Sequence, residues 1–178
     1  RYQQNAVERA RNIAVTKQME TVQNALEKYI LQNRNTYMHH AGNFVWYDVN
    51  LPVLIEANLL PEDFATKDSN SNPTNSTDFG EYALRVLKNN TVLQGVVLLV
   101  DDNITPLRTR EIVNLGGGKI GYIDDTKVRG GFNVFERPKT NMGLTDDNSG
   151  LVGTTGTLRG SMIILKISFV KIMVEKLI

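Results

Sequence analysis

Residues 2–33 read YQQNAVERARNIAVTKQMETVQNALEKYILQN, without a proline or a glycine and rich in Ala, Gln, Glu, Arg and Met. Such side chains lose little rotamer freedom in a helix, so the stretch is expected to form one helix. In its second half Val15, Met19, Val22, Leu26, Tyr29 and Ile30 recur at alternating spacings of four and three, with Tyr29 beside Ile30. They fall on one face and require a partner surface. Carried backwards, the same stripe lands on Asn12 and Glu8, while Ala6, Ala10, Ile13 and Ala14 are small and lie on another face. The expectation is a split helix: the second half packs on its own domain and the first half projects toward other subunits, small side chains allowing close approach. A long surface helix with a weakly apolar start is the plainer alternative.

Beyond the helix the chain changes in character. Asn33 to Tyr47 is polar and aromatic; Val49 to Leu60 supports a short helix with Pro52 in its first turn, and Pro61 marks its end. Thr66 to Asp78, dominated by Asn, Ser, Thr and Asp, is expected as a long loop. Tyr82 to Leu87 and the β-branched run Val92 to Val100 make an antiparallel hairpin about Asn89-Asn90. Thr105 to Leu115 admits a short helix behind Pro106, stopped by Gly116 to Gly118. Lys119 to Ile123 and Gly131 to Phe135 read as two further strands around Asp124-Asp125. The expected fold class is α+β, a long helix packed on a four- to five-stranded antiparallel sheet over about residues 80–137.

Past residue 145 the chain becomes a Gly/Thr linker, with Gly150, Gly153, Gly156 and Gly160. Ile163, Leu165, Ile167 and Phe169 then alternate with Ile164, Lys166 and Ser168, the pattern of an amphipathic strand, with a helix left open. The chain therefore divides into a domain at residues 1–145 and a linker with a short strand or tail at 146–178.

Composition narrows the chemistry. With 178 residues, 41% hydrophobic and 22% charged, the chain matches a folded domain with one core rather than a disordered or collagen-like chain. A net charge of +1 leaves no field for nucleic acid, which is not expected as a partner. The absence of cysteine excludes disulfides, thiolate metal sites and cysteine nucleophiles. The most apolar window, Met162 to Ile178, is interrupted by Lys166, Lys171, Glu175 and Lys176, so a membrane anchor is expected only upstream of Arg1.

No catalytic set assembles. Gly116-Gly117-Gly118-Lys119 resembles a phosphate-binding loop, but Val113 stands where its first glycine belongs and Ile120 where a magnesium-binding hydroxyl belongs. His39 and His40 are adjacent, so they cannot share a helix face as an i, i+4 metal pair does. Asp146, Asn148 and Gly150 misplace the glycine of a calcium loop, and Thr157 replaces the closing glutamate. The expectation is a non-enzyme without cofactor or metal.

In order, the helix with Tyr29 and then Tyr37, Leu59-Leu60-Pro61, Asp78-Phe79-Gly80-Glu81-Tyr82-Ala83-Leu84, Leu93 to Val100, the glycines Gly116, Gly117, Gly118 and Gly121, and Arg129-Gly130-Gly131-Phe132 resemble type IV pilins. The likeness is to the constant amino-terminal region of shufflon-type, PilV-like minor pilins of conjugative thin pili, over about residues 2–145. Asp78 and Glu81 depart from the family's Asn-Phe/Tyr-Gly-Gln-Tyr segment. The resemblance implies a spine helix on a sheet, with Val15 to Ile30 against that sheet and Ala6, Ala10, Ile13 and Ala14 against neighbouring pilin helices. It further implies an upstream anchor, residence in the inner membrane or periplasm before assembly and in the extracellular pilus afterwards, and a role at the pilus tip or in priming. Its partners would be other pilin subunits and a ligand on a host or recipient cell surface. A secretion-system pseudopilin shares the same plan, and a small periplasmic enzyme is the remote alternative.

Overall fold

The computed structural model describes residues 2–39, 45–89, 92–101, 105–116, 119–124, 126–138 and 162–170. Helix α1 runs Tyr2–Gln32, and after Asn33 a second helix, α2, covers Arg34–His39. At the junction Asn33 donates both its backbone N–H (3.0 Å) and its side-chain Nδ2 (2.9 Å) to the Tyr29 carbonyl, so the end of α1 is satisfied by its own last turns. Strand β1 (Val45–Val49), helix α3 (Leu51–Glu56) and strands β2 (Ser76–Thr77), β3 (Gly80–Asn89) and β4 (Val92–Asp101) come next. Helix α4 (Pro106–Leu115), strands β5 (Ile120–Asp124) and β6 (Lys127–Gly130), a 3₁₀ turn at Gly131–Asn133, and strands β7 (Glu136–Pro138) and β8 (Met162–Val170) complete the described chain.

The strands form one sheet in the order β1-β3-β4-β8-β5-β6-β7, with β2 also paired to β3, and every pairing is antiparallel. The architecture is α+β with the long amino-terminal helix expected. The strand count is a correction: the described residues form eight strands, not four or five, and the sheet reaches beyond 80–137 at both ends. β1 lies outside the expected strands although four of its five residues, Val45, Trp46, Tyr47 and Val49, are strand formers; its partner, Leu84–Lys88, lies far along the chain. β8, expected as an appended strand or tail, is hydrogen-bonded between β4 and β5. Gly131–Phe135 is not a strand: the 3₁₀ turn breaks it, and β6 pairs instead with Glu136–Pro138. The loop after α3 holds the short β2 and a bridge between Lys67 and Pro73.

The core lies between α1 and one face of the sheet. Val15, Met19, Val22, Ala25, Leu26 and Ile30 meet Tyr82, Leu84 and Val86 of β3 and Leu93, Val97 and Leu99 of β4 in one buried cluster. Register explains this: Tyr82 pairs with Leu99 and Leu84 with Val97, and directly paired residues share a face. Burial of side chains such as Met19, Leu26 and Ile30, each 0% exposed, contributes roughly 1.5–3 kcal/mol apiece. Val96 and Leu98 are also fully buried but lie outside that cluster, on the opposite face of β4. Their register partners on β8 are Ile167 and Leu165, whereas Lys166 pairs with Val97 and Ile120. The backbone register thus sets Leu165 and Ile167 opposite the two β4 residues that lie outside the α1 cluster.

Candidate functional site: the first half of α1 and the Phe132 loop

The stripe on α1 does not stop at Val15; its chemistry changes. Asn12 is 2% exposed, donating from Nδ2 to Glu111 Oε2 at 3.0 Å and accepting from Arg108 Nε at 3.2 Å. Both partners belong to α4. That helix is held in place by Thr105, whose hydroxyl accepts from the Arg108 N–H at 3.2 Å, and by Ile112 and Val113, which enter the core. Polar side chains serve here because α4, unlike the sheet, presents an arginine and a glutamate to α1; an apolar residue at position 12 would lose both hydrogen bonds, leaving exposed Glu111 and half-buried Arg108 to water. Glu8 and Asn5 continue the stripe along a groove of about 480 Å³ between α1 and the end of α4.

Further along the helix, a second polar contact ties it to the sheet. Gln18 Oε1 accepts from the Tyr82 hydroxyl at 2.8 Å and from the Thr77 hydroxyl at 3.0 Å. Burial pushes the Tyr82 phenol well above its ordinary range, so it stays protonated as the donor Gln18 requires. Arg11 stacks its guanidinium 5.0 Å above the Phe79 ring. The segment Asp78 to Tyr82 is therefore where β3 enters under the helix: Asp78 is exposed, Phe79 lies beneath Arg11, and Tyr82 is buried. Gly80 between them has φ +141°, and a Cβ there would lie 2.4 Å from the Val100 carbonyl oxygen, so no other residue fits without movement.

The remaining candidate residues separate into groups. Met19, Val22, Leu26 and Ile30 are fully buried, Val15 is 4% exposed, and Tyr29 packs half-buried against them. Ala6 and Ala10 are exposed, Ala14 is half-buried and Ile13 is 37% exposed, on the side of α1 turned away from the sheet and α4. Gly116 ends α4 and Gly121 lies in β5 against the Arg129 carbonyl. Gly117 and Gly118 lie outside the described residues, as do His40 and the Asp146–Gly150 stretch. His39 donates from Nδ1 to the Asn35 carbonyl of its own helix.

Arg129 and Gly130 end β6, and the 3₁₀ turn that follows seats Gly131 and Phe132 on the end of α4. Arg129 pairs with Glu136 at 2.7 Å, and Lys127 reaches the same carboxylate at 2.6 Å; the Lys127 hydrogen bond foremost, with the Arg129 charge, lowers its pKa. Gly131 approaches α4 so closely that a Cβ would meet the Val113 carbonyl oxygen at 2.6 Å. Phe132 then takes φ +52°, donates its N–H to Asn114 Oδ1 at 3.0 Å and leaves its ring 77% exposed. The sequence pattern marks neither Gln18 nor the Asn114–Phe132 pair as a contact; of these polar contacts, only Asn12 carries a sequence signal, as the residue on which the apolar stripe lands.

No protein-family model, curated protein or solved structure matches this chain. Among the described residues no cluster of His, Asp or Glu is arranged to hold a metal ion, and no helix is long and apolar enough to cross a membrane.

Proposed function

We propose that the chain is the constant region of a shufflon-type minor type IV pilin, a non-catalytic subunit that caps or primes a pilus and serves adhesion or recipient recognition. The observation that carries this reading is the division of α1. From Val15 onward one face of the helix is buried against the sheet, while each residue from Asn5 to Arg11 is exposed, Arg11 resting on the Phe79 ring and Asn5 and Glu8 bordering an open groove. An exposed helical segment of this length gains little from its own domain and is stabilised by packing in an assembly. On this reading Ala6, Ala10, Ile13 and Ala14 face the helices of neighbouring pilin subunits, and the subunit passes from the inner membrane and periplasm into the extracellular pilus.

The test is incorporation. In a strain that makes the pilus, Ala10→Asp chains are expected to accumulate in cells but to be missing from the sheared pilus fraction by immunoblot. Wild-type levels of Ala10→Asp and Ile13→Asp chains in that fraction would refute the assignment of this face.

A further inference from the structure

Phe132 bears two unfavourable features at once: an aromatic ring left in water and a left-handed backbone on a non-glycine residue. Strain of this kind costs of order 1–3 kcal/mol and persists only where the surroundings impose it. Here they do, through the Asn114 hydrogen bond and the close seat of Gly131 on the Val113 carbonyl. The ring is presented rather than left over.

It forms one wall of a groove of about 410 Å³, lined also by Arg110, Asn114, Tyr122, Arg129 and Gly130. The charges there are unequal in availability. Arg129 is engaged by Glu136, which Lys127 also holds. Arg110 is exposed and has neither an ion-pair nor a hydrogen-bond partner among the described residues. Asn114 has its oxygen committed to the Phe132 N–H, which leaves the two amide hydrogens as donors. The groove therefore offers two aromatic rings, one amide donor, one phenol hydroxyl and a single uncompensated guanidinium.

We propose that this groove binds an acidic monosaccharide, a pyranose bearing one carboxylate. One free guanidinium matches one carboxylate, which it can grip through two parallel hydrogen bonds. A polyanion such as nucleic acid would need a row of free cations, and among the described residues the groove has one. The electron-rich faces of Phe132 and Tyr122 suit the polarised C–H face of a sugar ring, and hydroxyls on its edge meet the Asn114 amide and the Tyr122 phenol. The volume lies toward the small end of ligand sites, roughly 300–1,000 Å³, which fits a single ring rather than a chain. The proposal does not depend on the pilin reading.

Saturation-transfer NMR on the full chain with D-glucuronate tests it, with D-glucose and benzoate as comparison ligands. D-Glucuronate is expected to bind with a Kd of about 1 mM. Arg110→Gln and Phe132→Ala are each expected to weaken it about tenfold or more, and D-glucose to give no transfer. Both side chains are exposed, so circular dichroism melts of the variants should match the parent. No transfer to D-glucuronate, or equal transfer with Arg110→Gln, overturns the site. D-Glucose binding as well as D-glucuronate overturns the acidic requirement, and benzoate binding more tightly overturns the sugar class.

Discussion

Asn12 sits where the apolar stripe of α1 ends, yet it is almost as buried as Met19. Its amide bonds an arginine and a glutamate of α4 at once, both still reached by water, so Asn12→Ala should cost about 0.5–1.5 kcal/mol in urea unfolding, the net worth of the lost hydrogen bonds. Asn12→Leu should be no better, because added apolar area does not restore either hydrogen bond. Tyr82 gives a pH signature. Its folded-state pKa is raised above the ordinary 10.0 by burial, so its contribution to stability is complete below pH 10 and declines as pH rises beyond it. Tyr37 is raised in the same direction, first by burial and then by Tyr29, and adds to the slope. Stability is expected to fall by about 1.4 kcal/mol per pH unit for each such phenol above pH 10, and Tyr82→Phe should flatten that slope in urea titrations at successive pH values.

For the elements, α1 is the informative case. Its two halves share one helical register but answer to different partners, the sheet from Val15 onward and α4 around Asn12. Leu26→Asp places a charge in a fully buried position and should abolish the cooperative thermal transition. Ala10→Asp, on the exposed side, should melt within a few degrees of the parent. The reverse ranking of melting temperatures would refute the split-helix description. Periodicity makes α1 and the β3–β4 hairpin legible, because each is decided by neighbours close in the chain, whereas the stretch that becomes α4 is ambiguous by pattern and only admits a helix. β1 is not legible by period although Val45, Trp46, Tyr47 and Val49 favour a strand, because five residues at the end of a polar stretch are too short to show one and the pairing with β3 is remote in sequence. The Gly131–Phe135 stretch departs from its expected strand for a related reason. Its composition permits a strand, but Gly131 must sit against α4, and that seat forces the 3₁₀ turn.

At the level of the whole molecule, the position of β8 matters most. It joins β4 through the register Leu93–Asp101 against Met162–Val170 and joins β5 on its other side, so the two halves of the sheet meet through it. A chain ended at residue 150 would leave β4 and β5 with unpaired edges, and open apolar edges invite association. Such a chain is expected to elute as aggregate in size-exclusion chromatography and to lack a cooperative melt. A monomeric, cooperatively folded product would show that β8 is dispensable.

The amino-acid sequence by itself determined the elements whose patterns are local, the long first helix with its apolar stripe and the hairpin, while it only admitted a helix behind Pro106 and left the last segment open between strand and helix. It also determined the lack of thiol chemistry and of a net electrostatic field. Only the tertiary structure decided where β8 inserts, why the stripe turns polar at Asn12, and that Phe132 stands out between two grooves. Those features depend on contacts between residues tens of positions apart, and periodicity along a chain records which face of an element is apolar without recording which partner will cover it.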